Sequence, residues 1–210
     1  MVRSIMKAFG VLGICMIYLA VLATDSKEEK AAAFKKRLED IMAGKGEGGK
    51  FVGSNQCRAC HTTPKTGAQF KIWLGTAHSK AYHSLLSEEG KKRAAAKNVA
   101  KPEEDTNCLQ CHTPIATAPK EFVDEKYDKT EGVGCEACHG PGEKHVQLQR
   151  QAMKENTKIP EGLTVLLKAR DPDNKRALCE RCHKKHEWHE MEEHDNVKAW
   201  EKIAHPKPKG

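Results

Sequence analysis

Gly132-Val133-Gly134-Cys135-Glu136-Ala137-Cys138-His139-Gly140-Pro141-Gly142-Glu143-Lys144-His145 holds the five-residue pattern Cys-x-x-Cys-His, and the pattern recurs at 57–61, 108–112 and 179–183. The cysteines involved are Cys57 and Cys60, Cys108 and Cys111, Cys135 and Cys138, and Cys179 and Cys182; the histidines are His61, His112, His139 and His183. In such a pattern both sulfurs can form thioethers to the vinyl groups of one haem while the adjacent histidine coordinates the iron. With nine Cys and eleven His in 210 residues, chance placement gives roughly 0.02 copies. Four copies are therefore not accidental. Structural zinc would combine two Cys-x-x-Cys pairs into one four-ligand site and would not need a histidine after every pair. The sequence implies four covalently bound haem c groups, numbered here as sites 1 to 4 in chain order.

Working outward, seven histidines remain beyond the four in the motifs, enough to give every iron a second imidazole. Methionine is a poor alternative, because after residue 23 only Met42, Met153 and Met191 remain and none has an obvious ligand setting. Phe70, Trp73, Leu74, Ala77, Ala81 and Leu85 recur at helical spacing over 69–86 and carry His78 among small apolar neighbours. That setting suits an axial ligand better than a solvated histidine. His83, five residues on, points to a different face and is not expected to serve the same iron. His205 follows an apolar helical pattern and precedes Pro206, which stops the helix, and it too reads as a ligand. His186, His189 and His194 lie among Glu187, Glu190, Glu192 and Glu193, where a surface metal site and a solvated face are both open readings.

Residues 1–23 have the layout of a secretory signal, with Arg3 and Lys7 before an apolar run over 8–23 and Val21-Leu22-Ala23 offering a cleavage site. The run is shorter than the ~20 residues that span a bilayer, so removal is expected rather than anchoring. Ile14 before Cys15 fits a lipoprotein site poorly. Cleavage leaves eight cysteines, all taken by the four motifs, so no disulfide is expected in spite of export. A soluble protein located in the periplasm, or alternatively outside the cell, follows.

About 187 residues then surround four haems, and aromatic residues make up only 5% of the chain. The macrocycles must supply much of the apolar interior, and without them the chain is not expected to fold. The net charge of +7 falls to about +5 without the signal, and haem propionates lower it further, so nucleic acid is not an indicated partner.

The fold class expected is mainly α, with little sheet, helices and loops wrapped around four haems. Residues 24–50 form an N-terminal helix and linker, and 51–210 the tetrahaem domain. Ala31, Phe34, Leu38, Ile41 and Met42 mark an amphipathic helix over 27–43, and 44–50 reads as a flexible link. Further helices are expected over 91–100, 143–156, 161–169 and 195–204. Gaps of 46, 22 and 39 residues between successive motifs exclude a strict repeat.

Phe51-Val52-Gly53-Ser54 before site 1, Trp73-x-x-Thr76-Ala77-His78-x-x-Ala81, and 132–142 with His145 together resemble the tetrahaem cytochrome c-554 family. The resemblance covers most of 51–205 and implies a mostly helical fold with haems in stacked and perpendicular pairs. It implies that His145 is the second ligand to the site 1 iron, that His78 completes site 3, and that His205 completes site 4. Site 2, held by His112, would be five-coordinate in that pattern. This chain departs from it by having His83 where the family has an acidic residue and by its extra histidines, any of which could fill the vacancy.

The function expected is relay of single electrons through four haems between redox partner proteins, such as a membrane-associated quinol oxidase or a terminal reductase. That reading makes the chain a carrier rather than an enzyme. The alternatives are a nitric oxide-type reductase at an open second haem and a protomer of an extracellular cytochrome filament or other homo-oligomer.

Overall fold

In a computed structural model of the protein, the described residues are 48–157, 177–184 and 196–205, with Glu29, Ala32, Ala33, Lys36, Glu39 and Asp40; for 196–199 the description is of the backbone alone. The helices are α1 (Ser54–His61), α2 (Gln69–Leu74), α3 (Ala81–Leu86), α4 (Glu88–Ala95), α5 (Thr106–His112), α6 (Cys135–His139), α7 (Glu143–Glu155) and α8 (Asn196–Ile203). Short 3-10 turns join several of them. Among the described residues there is no strand, only an isolated parallel bridge between Phe51 and Val123. The fold is mainly α, as expected.

Side-chain caps begin two of the helices. Asp105 caps α5 by accepting from the Asn107 and Cys108 N–H groups, and Ser87 caps α4 by accepting from Gly90. The α5 cap fixes the start of the site 2 motif directly.

The expected helix over 69–86 is broken. It runs Gln69–Leu74, turns, passes a 3-10 segment at His78–Lys80 and resumes at Ala81. Thr76 Oγ1 donates to the Trp73 carbonyl at 2.7 Å, and Ser79 Oγ donates to those of Leu74 and Thr76 at 2.9 and 3.0 Å. These hydroxyls take the carbonyls a continuous helix would use, so His78 sits on a tight turn rather than mid-helix.

The side-chain core is thin. One cluster joins Phe51 and Ile115 with Ala118, Val123 and Tyr127; another joins Tyr82, Leu85 and Leu109 with Cys108. Each contains too few apolar residues to order its surroundings alone, which agrees with an interior completed by bound macrocycles.

The helix expected over 143–156 is present as α7, and that over 195–204 as α8. The helix expected over 91–100 begins earlier, at Glu88, because Ser87 caps it there, and it ends at Ala95. The described residues within 27–43 are helical, with Lys36 paired to Asp40 at 3.0 Å. The link over 44–50 differs from expectation at its end. Lys144 N donates to the Gly48 carbonyl at 3.0 Å, Lys50 N donates to Glu143 Oε2 at 2.9 Å and Glu143 N donates to the Lys50 carbonyl at 3.2 Å. Residues 48–50 are thus fastened to the start of α7. The signal, the helix over 161–169, and His186, His189 and His194 lie outside the described residues. Among the described residues no helix is long and apolar enough to cross a membrane.

Candidate haem-binding site

Each Cys-x-x-Cys-His lies on a short helical segment: α1, α5, α6 and the helical turn at 177–180 followed by His183. One turn of helix brings the first cysteine, second cysteine and histidine to one side, which is the geometry thioether attachment and axial coordination need together. All eight motif cysteines are free of disulfides.

The distal histidines arrive beside the motif histidines in pairs. His145 on α7 lies with its ring centroid 6.3 Å from that of His61. His78 lies 5.9 Å from His183, and His205 lies 5.8 Å from His139. Two imidazoles on opposite sides of one metal, each bonded at about 2.0–2.1 Å with its nitrogen ~1.1 Å from the ring centre, have centroids about 6.2 Å apart. The three pairs match that separation. Among the described residues no group of three or more His, Cys, Asp or Glu side chains could hold a metal ion.

Two of these pairings differ from those the resemblance implied. His78 stands beside His183 rather than His139, and His205 beside His139 rather than His183. Val133 N donates to the His78 carbonyl at 2.9 Å and Trp73 Nε1 donates to the Val133 carbonyl at 2.8 Å, so the His78 turn is fastened along the segment leading into site 3. Its ring is directed onward to site 4. Gly132 makes this approach feasible: its φ is +75°, and a Cβ there would lie 2.5 Å from the His78 carbonyl oxygen.

The Nδ1 atoms of two motif histidines face oxygen atoms that can accept a hydrogen bond. His112 Nδ1 faces the Ala81 carbonyl at 2.8 Å and Ser84 Oγ at 3.1 Å, and His61 Nδ1 faces Gln69 Oε1 at 3.3 Å. A proton held on Nδ1 by a carbonyl leaves Nε2 as the lone-pair donor for a metal. Burial, with the rings of His205, His61 and His145 nearby, lowers the pKa of His139 to about 4, and burial also lowers those of His78 and His145. Neutral imidazole is the form that binds iron.

His83 is exposed, and its ring contact is with Tyr82 at 5.8 Å. It shares α3 with Ala81 and Ser84, which occupy the Nδ1 side of His112.

The attachments themselves are neighbours. Cys135 beside Cys57, and Cys111 beside Cys182, together with burial push the pKa of Cys57 and of Cys182 up. Burial pushes Cys138 up to about 12, with Cys179 close by. The first and third motifs, and the second and fourth, therefore adjoin through their cysteines.

Sequence spacing gave no hint of a polar network behind sites 1 and 3. Glu136 is 3% exposed and accepts from Val52 N at 2.9 and 3.0 Å, Gly53 N at 2.7 Å and Gly142 N at 2.6 Å. Burial raises its pKa, and the three backbone donors pull it back down. Ser54 Oγ accepts from Cys135 N at 2.9 Å, while Ser54 N donates to Glu131 Oε2 at 2.6 Å. Glu131 Oε1 is buried without a hydrogen-bond partner, and burial, with Glu136 and Cys135 nearby, raises its pKa to about 8. The one available signal was the clustering of Glu131 and Glu136 with glycines around an attachment motif.

Two comparisons with known proteins found a match. Residues 56–140 match the family model of cytochrome c554 and c-prime. Cytochrome c-554 of Nitrosomonas europaea is 33% identical over 96 residues, a stretch covering 44% of this chain and 39% of that protein. The chain thus matches well under half of the length of that curated relative. No solved structure matches.

Proposed function

We propose, for a chain whose residues 56–140 belong to the cytochrome c554 and c-prime family, that it is an exported four-haem electron carrier. The observation that carries this reading is the set of three imidazole pairs at 5.8–6.3 Å, each joining a motif histidine to a histidine from another segment. Haem c, when bound, supplies one-electron iron chemistry. His61 with His145, His183 with His78, and His139 with His205 would fill both axial positions at three sites. With both positions filled by side chains, a site has no vacancy for a substrate, which favours electron relay over catalysis.

The eight motif cysteines would fix four haems covalently, and the adjoining pairs Cys57/Cys135 and Cys111/Cys182 support close spacing between sites. Attachment outside the cytoplasm, in the periplasm, is consistent with the leader over 1–23 and with cysteines left free of disulfides. Redox proteins are the partners this reading requires.

Mass spectrometry of the purified holoprotein is expected to show four covalent haems, and electron paramagnetic resonance of the oxidised protein to show low-spin iron at three sites or more. A mass corresponding to fewer haems, or a dominant high-spin signal, would overturn the assignment. The same spectrum reports on site 2: a high-spin component there would revive the reductase alternative, and its absence would point to a fourth distal histidine.

A further inference from the structure

We infer that Glu136, which stands at a variable position inside the third Cys-x-x-Cys-His, is the positioning residue for the axial pair of the first site. This deepens the reading above and rests on His61 and His145 serving one iron.

The carboxylate joins the two chain segments that deliver those rings. Val52 and Gly53, which donate to it, immediately precede α1, at whose end His61 stands. Gly142, which also donates to it, immediately precedes α7, whose third residue is His145. Oε1 takes the Gly142 and Val52 N–H groups and Oε2 takes those of Gly53 and Val52. One buried anion thus sets the relative position of two helix beginnings, where aligned backbone dipoles favour negative charge. From Gly142 to His145 there is less than one helical turn, so a shift at the carboxylate is passed directly to the ring.

The packing leaves no slack. Gly142 has Glu136 Oε1 so near that a Cβ would lie 3.2 Å from it, and Val52 is 8% exposed. Glu143 N on the Lys50 carbonyl and Lys144 N on the Gly48 carbonyl, at 3.2 and 3.0 Å, also hold the start of α7. The side-chain bonds of Lys50 N to Glu143 Oε2 and of Arg150 Nη2 to Gln56 Oε1, at 2.9 and 2.8 Å, are exposed. Exposed side-chain bonds of that kind contribute little against water, so the buried carboxylate is the main side-chain tie.

Glu136→Gln is the discriminating change. Glutamine matches glutamate in shape, but both carboxylate oxygens accept here, and an amide NH2 placed at either one faces N–H donors. The holoprotein carrying Glu136→Gln is expected to lose the low-spin signal of one haem and to gain the high-spin signal that His145→Ala gives. Imidazole added to solution should restore low-spin iron in both variants. His205→Ala, which acts at site 3, should give a distinguishable spectrum that Glu136→Gln does not share.

A Glu136→Gln protein with the wild-type spin state and merely a lower melting temperature would overturn the inference, showing a structural role alone. If that variant yields no holoprotein, Glu136→Asp is read instead. It keeps the charge but withdraws the carboxylate by about one C–C bond, ~1.5 Å, beyond hydrogen-bond reach of at least one donor. Wild-type low-spin content in Glu136→Asp would equally overturn the inference. Should His145→Ala itself leave the spectrum unchanged, the pairing at site 1 fails, and the proposed function is revised with it. A changed His145→Ala spectrum beside an unchanged Glu136→Gln spectrum sinks only the role of Glu136.

Discussion

The surroundings of sites 1 and 3 and those of site 2 are held by different balances of polar and apolar contact. Around sites 1 and 3 the ties are buried or half-buried polar bonds: Glu136 to Val52 and Gly53 far back in the chain and to nearby Gly142, Glu131 to Ser54, and Ser54 to Cys135. At site 2 the two helices meet through apolar side chains, beside the hydrogen bonds at His112 Nδ1. Tyr82 and Leu85 of α3 pack on Leu109 of α5, and the His112 ring leans on the same α3 through the Ala81 carbonyl. Hydrogen bonds fail sharply when a partner moves, whereas apolar packing yields gradually. The first region therefore specifies ring positions closely, and the second provides a platform that tolerates substitution.

The contrast is tested first where the effect is largest. Glu136→Ala leaves three buried backbone N–H groups without an acceptor, each costing about 1–3 kcal/mol, so a loss of roughly 4 kcal/mol or more is expected in denaturant unfolding of the holoprotein. Leu109→Ala in the second region removes buried apolar volume and is expected to cost about 2–4 kcal/mol while leaving the axial ligation of site 1 as in the wild type. A Leu109→Ala variant with altered site 1 spin state would show that the two regions are not separate.

Titration sharpens the same division. Glu131 has one N–H donor and a buried oxygen with no partner, and its pKa is raised from 4.5 to about 8, chiefly by burial. The folded protein then holds a proton there that the unfolded chain releases, so this group's contribution to stability is full below about pH 4.5 and falls as pH rises through about 8. Glu131→Gln keeps the hydrogen-bonding shape without the titration, and melting temperatures across that window are expected to decline less with pH than in the wild type. An unchanged pH dependence would remove Glu131 from the account.

How much of this was legible in the sequence follows from how far apart the partners lie. The motifs are local, so the four Cys-x-x-Cys-His segments were readable, and α7 and α8 followed from apolar spacing. The break at Gly75 and Thr76 was not, because apolar periodicity continues through it while Thr76 and Ser79 hydroxyls capture the carbonyls. Nor were the partners of His78 and His205, which depend on the course of the chain between residues about 100 and 65 positions apart. Glu136 was hidden for a related reason: its donors at Val52 and Gly53 are 84 and 83 residues away.

The smallest effects are expected on α3, where the platform can be dissected. Ser84→Ala removes one contact to His112 Nδ1 but leaves the Ala81 carbonyl, a loss of about 1 kcal/mol or less, with the ring still held. A small shift in the site 2 reduction potential is expected, since the Nδ1 bond adjusts the basicity of the ligating nitrogen. His83→Ala should do less still. The Ala81 carbonyl and Ser84 hydroxyl place α3 on the Nδ1 side of His112, whereas a second axial ligand must stand beyond Nε2. The spin state of the oxidised holoprotein is therefore expected to be the same with His83→Ala as without it. A new high-spin component in that variant would mean that α3 moves on haem attachment, and the tolerant platform would then be part of the ligand set.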